Sequence, residues 1–201
     1  MIYKNRIIML SKSQGLYYDG MIAVSGNTIT NSGDIIQYQP PGAGAYNVTL
    51  SATFNPADHS ITGTLNHFGG MQNVAFSLVY ASGRAASKVS DIVNDTNHPA
   101  WTAPVFNATT DPLSISLSDN TAGAAAITTV SMMTSNIVFG NSNFTGTLTP
   151  VAGSLYEVSM PETGSPYGDV TLTGLAALRG NTLVLAASEP ITTIAMFAEF
   201  Q

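Results

Sequence analysis

The sequence predicts an all-β, antiparallel fold: a curved sandwich or barrel of eight or more strands, with one short helix near 82–94. Three observations carry this expectation. Apolar and polar residues alternate with a period of two through much of the chain. Clusters of Gly, Asn and Pro interrupt the alternation at short intervals. Glycine also recurs on the apolar side of the alternating segments.

The alternation is clearest from Tyr46 to Phe54. There Tyr46, Val48, Leu50, Ala52 and Phe54 share one face, and Asn47, Thr49, Ser51 and Thr53 share the other. Leu113, Ile115 and Leu117 alternate with serines, and Val170 and Leu172 alternate with threonines. Such segments are half-buried antiparallel strands with one wet face. Further strands are expected near 2–10, 16–24, 34–39, 59–67, 73–80, 127–133, 143–149, 153–160, 182–187 and 191–200. Ser25-Gly26-Asn27, Asn55-Pro56 and Arg179-Gly180-Asn181 are among the turns that separate them.

Two stretches share the sequence Thr-Gly-Thr-Leu, at Thr62–Leu65 and Thr145–Leu148. In both, the alternation places Gly63 and Gly146 on the inward face, and Gly174 repeats the device. A glycine there removes a side chain where a sheet bends or another backbone comes close. The copies lie too far apart to define a short repeat.

The segment SGRAASKVSDIVND carries apolar residues at helical spacing behind Ser82, which predicts the helix. The next stretch has three prolines and the sole tryptophan, and is expected to be irregular. The whole chain then reads as a single β domain spanning 1–201, with an irregular excursion at about 81–112.

Charged residues make up 9% of the chain, against about 25% in an average globular protein. Ser and Thr take over the polar role, and no basic stripe marks a nucleic-acid partner. There is no cysteine, which removes disulfides and thiolate ligands, and no apolar run is long enough for a membrane span. The N-terminal stretch is not expected to act as a signal peptide, because its apolar run is short and broken by Lys4 and Arg6.

Sites of chemistry are few. Asp91 and Asp95 share a helix face with His98 one turn on, a weak candidate metal set; solvation of a helix end is the competing reading. His59 and His67 are expected at a turn and a strand end. Trp101 suits either a partner contact or an anchor for its loop. In the last strand Ile194, Met196 and Phe200 lie on one face and Phe197 on the other. A strand apolar on both sides is covered by its own chain or by a neighbour. No nucleophile elbow, phosphate loop or zinc motif is present, so no enzyme is expected and no cofactor is assigned.

Two stretches carry a family resemblance. YNVTLSATFNPADHSITGTLNHF, through Phe54, Ile61, Gly63 and Thr64, resembles the paired strands in the barrels of transferrin-binding protein B, factor H-binding protein and hemophilin-type haem carriers. FGNSNFTGTL resembles that family's Gly-Asn-x-Phe strand through Gly140, Asn141, Phe144 and Gly146. The similarity runs from about Tyr46 to Gly174, and the family's closing aromatic-Tyr-Gly-Pro motif is absent. It implies a β-barrel that binds haem or another host iron source at a cell surface or after secretion.

Composition and the terminal strand favour a different expectation. It is that of a non-enzymatic structural protein of an extracellular assembly, first of all a virus or phage particle component acting through subunit contacts in a homo-oligomer or larger array. The secreted or surface binding barrel is the alternative, and a pilus or fibre subunit completed by a neighbour's strand is the third.

Overall fold

The computed structural model describes residues 1–11, 16–38, 45–67, 73–79, 88–93, 101–103, 113–119, 123, 125–131, 143–163, 169–189 and 194–201. All of its regular structure is antiparallel β, apart from one 3-10 turn, Val89–Asp91. The helix predicted over 82–94 is represented among the described residues by that turn alone. The contacts divide the chain into two units, each with its own sheet and apolar core.

The first unit is a seven-stranded meander curled into a half-barrel. Its strands are β1 (Ile2–Tyr3), β2 (Arg6–Ser11), β3 (Leu16–Ser25), β4 (Thr28–Tyr38), β5 (Ala45–Asn55), β6 (Ser60–His67) and β7 (Val74–Val79). Each strand pairs with the next in sequence, so every connection joins sheet neighbours. Gly26 and Asn27 make the tight turn between β3 and β4, with Gly26 at a φ of 58°, where a β-carbon would be strained. The inner face is apolar, built on Ile7, Tyr18, Ile22, Ile35, Val48, Leu50 and Leu65.

Strand β4 starts earlier than its sequence pattern indicates. The pairing with β5 shifts between Thr30 and Ile35, and the Asn31 side chain spans the irregularity. Its amide donates to the Gly33 carbonyl at 2.9 Å, while its oxygen accepts from the Leu50 amide at 3.4 Å. A polar side chain thus replaces the missing ladder bond, and the alternation before residue 34 is masked.

The second unit is an eight-stranded meander: β8 (Trp101–Ala103), β9 (Leu113–Asp119), β10 (Ala125–Ser131), β11 (Asn143–Pro150), β12 (Leu155–Thr163), β13 (Val170–Arg179), β14 (Thr182–Glu189) and β15 (Ile194–Phe200). Its two edges meet. The Thr102 amide donates to the Gln201 carbonyl at 3.0 Å, and the Gln201 amide returns a bond to Thr102 at 2.7 Å. The edges of the sheet are thus joined at Thr102 and Gln201, which closes the barrel at this point.

Closure corrects one expectation. Residues 101–103 belong to a barrel strand, although 81–112 reads as an irregular excursion. The barrel interior is filled by Trp101, Tyr156, Met160, Leu172, Leu185 and Phe200, all fully or almost fully buried.

The inward glycines are sites of close approach. Gly174 sits between Val158 and Ala187, and a β-carbon on it would come within 2.6 Å of the Ala187 Cα. Gly146 has a φ of 149°, which only glycine adopts readily, and it too is pressed against the next strand.

Candidate functional site

The residues singled out in the sequence fall into three groups. Asp91 ends the 3-10 turn, exposed, and its carboxylate accepts a hydrogen bond from the Lys88 amide at 3.1 Å. Asp95 and His98 lie outside the described residues. Among the described residues, no three His, Cys, Asp or Glu side chains are grouped to hold a metal ion.

Trp101, Met196 and Phe200 are built into the barrel core. The Trp101 ring N–H donates to the Ile92 carbonyl at 2.8 Å, and the Tyr156 hydroxyl donates to the Lys88 carbonyl at 3.0 Å. These two bonds fasten the turn, whose Ile92 side chain is fully buried in the same core. Trp101 therefore acts as an anchor. Burial, and secondarily the Asp91 carboxylate, push the Tyr156 hydroxyl up to about 12.

Strand β15 keeps the two apolar faces read from its sequence. Met196, Ala198 and Phe200 face the barrel core, while Phe197 shares a rung with Ala186 on the other side and is also buried. Ile194 pairs with Glu189. One edge of the strand is taken by β14, and the chain end at Gln201 meets β8.

Polar chemistry concentrates in the first unit, on both faces of the half-barrel. On one face Arg6 clamps the buried Asp19 carboxylate with two hydrogen bonds, Nε to Oδ1 at 2.8 Å and Nη2 to Oδ2. The Tyr17 hydroxyl donates to the same carboxylate at 2.7 Å, and its ring stacks on Tyr38 with centroids 5.2 Å apart. Burial alone would lower the Arg6 guanidinium, but Asp19 outweighs it and the net shift is upward. This is a structural ion pair, with no free group for a substrate.

On the apolar inner face, Tyr18, Gln37 and His67 come together from β3, β4 and β6. Tyr18 pairs with Gln37 across the ladder, His67 Nε2 meets Gln37 Oε1, and the Tyr18 and His67 rings lie edge to face at 6.3 Å. Gln37 is one of three buried polar residues described. The Tyr18 hydroxyl and His67 Nδ1 are both buried without a hydrogen-bond partner. Each such group costs about 1–3 kcal/mol when left unsatisfied, so the pair is the least settled polar feature among the described residues.

Sequence reasoning missed this cluster. His67 reads as a strand-end residue, and nothing in a linear pattern announces that curling brings β3 and β6 side chains together. His59 does sit in a turn, at a φ of 54°, with its ring 6.3 Å from Phe54. Comparison with known protein families, curated proteins and solved structures finds no match to this chain.

Proposed function

We propose that the protein is a non-enzymatic binding protein that works outside the cell and holds its partner on the outer surfaces and connecting loops of its β-units. The observation that carries this reading is the self-closure of the second unit. A barrel joined at Thr102 and Gln201 has Trp101, Tyr156 and Phe200 packed in its interior, which among the described residues leaves little room for a large ligand inside. Its exterior is what remains for recognition. Low charge and hydroxyl-rich strand faces suit exposure outside a cell.

The resemblance to surface and secreted binding barrels supports the same reading. Its first motif falls on the β5–β6 hairpin, where Phe54 pairs with Ile61; of its second, Gly140 and Asn141 lie outside the described residues and the part from Asn143 on falls on β11, where Gly146 crosses Ile127. An iron-source ligand is the corresponding proposal for substrate class. Haem cannot enter the filled barrel and would bind on the exterior.

Assembly into a particle is a second reading, favoured by one observation. Strand β7 ends the half-barrel sheet, pairs only with β6 among the described residues, and carries Val79 at 78% exposure. Light scattering behind size-exclusion chromatography separates the two. A monomer that retains its β signature is expected for the binding protein; a large regular oligomer would replace that reading with assembly. Haemin titration followed by absorbance then tests the iron-source class, with a saturable Soret shift expected and a flat titration against it.

A further inference from the structure

We propose that Tyr18 and His67 form a clamp for a single neutral hydroxyl group on the inner face of the half-barrel. The two unpartnered atoms are complementary. With Gln37 Oε1 facing Nε2, the His67 proton sits on Nε2 and Nδ1 is a bare acceptor, whereas the Tyr18 hydroxyl is a donor without an acceptor.

The two rings lie edge to face with centroids 6.3 Å apart, and Gln37 holds the imidazole through Nε2. A group that accepts from Tyr18 and donates to His67 satisfies both atoms. A hydroxyl does this from one oxygen, whereas an amide needs two atoms separated by two bonds. The residues on the same rungs (Met9, Tyr46, Ile35 and Val48) are uncharged, so a neutral group fits and an ion does not.

Tyr18, Gln37 and His67 all lie within three residues of a strand end, on the side where the β2–β3, β4–β5 and β6–β7 connections leave the sheet. The hydroxyl has two possible sources, an internal water or the alcohol of a polyol or sugar that displaces it.

Long-range proton–nitrogen NMR of the full chain tests the clamp, with the His67 signals assigned from His67→Gln. The expected result is an imidazole proton on Nε2 and an Nδ1 resonance typical of a bonded acceptor. In Tyr18→Phe the Nδ1 resonance should move toward the unbonded position while Nε2–H stays in place. That variant keeps the ring, so unchanged amide spectra elsewhere report an intact fold. Cross-relaxation from His67 to water identifies water as the source. A saturable Nδ1 shift with glycerol, absent with 1,2-dimethoxyethane and absent in Tyr18→Phe, identifies a ligand alcohol. A proton on Nδ1, or an Nδ1 resonance indifferent to Tyr18→Phe, overturns the clamp.

Discussion

The main chains of Thr102 and Gln201, ninety-nine positions apart in sequence, exchange two hydrogen bonds and join the edges of the eight-stranded sheet. The Thr102 hydroxyl adds a third contact to the same Gln201 carbonyl at 3.3 Å. Replacing Thr102 by proline removes the amide donor of this seam. A loss of about 1–3 kcal/mol in barrel stability is expected, since the Gln201 carbonyl loses its main-chain partner. Urea unfolding followed by Trp101 fluorescence reads it directly.

Phe200 distinguishes a core role from a partner role. It is fully buried in the barrel core, so Phe200→Ala should destabilise the isolated chain by about 3–5 kcal/mol. A variant of unchanged stability that fails only in association would contradict this placement.

The glycines give a third expectation. Gly174→Ala drives a methyl toward the Ala186 carbonyl and the Ala187 Cα, both main-chain atoms that cannot rotate away. Overpacking of this kind costs about 1–3 kcal/mol, whereas Gly33→Ala, which meets nothing, should be tolerated. Thermal melts of the two variants make the comparison.

Much of this architecture is legible in the sequence because its causes are local. The alternation in β5, β9 and β13, and the Gly26-Asn27 and Gly180-Asn181 turns, follow from period and backbone preference within a few residues. The inward glycines Gly63, Gly146 and Gly174 announce curvature in the same way. What is hidden depends on distant pairing. β8 is three residues long, too short to alternate, and lies between Pro99 and Pro104; it is a strand because β9 and Gln201 flank it. The Tyr18–Gln37–His67 cluster is hidden for the same reason, since three separate strands meet there only after the sheet curls.

The Arg6–Asp19 pair makes the half-barrel sensitive to loss of a single charge. Asp19 is 6% exposed and accepts from both Arg6 and Tyr17, so Asp19→Ala leaves the guanidinium partly buried and uncompensated. A loss of about 3–5 kcal/mol is expected in urea unfolding. Arg6→Met with Asp19→Leu, which removes both charges, should recover a large part of it.

Tyr156 sets an alkaline limit on the barrel. Its hydroxyl is raised from 10.0 to about 12 in the folded chain, so the folded state holds its proton more tightly than the unfolded one. Stability from this group is complete below pH ~10 and falls as pH rises toward ~12. In Tyr156→Phe the decline across that window should flatten, as measured by urea midpoints at stepped pH.

Closure of the barrel within one chain is most directly tested by a cross-link. The chain has no cysteine, so Thr102→Cys with Gln201→Cys introduces the only two thiols. A hydrogen-bonded antiparallel pair has Cα atoms about 5.5 Å apart, inside the range a disulfide spans. Self-closure predicts that mild oxidation gives an intrachain bond in a monomer, seen as a shift on non-reducing electrophoresis and a two-hydrogen mass loss. Disulfide-linked dimers or longer ladders at low protein concentration, with no intrachain product, would contradict it and assign the Gln201 edge to a neighbouring molecule.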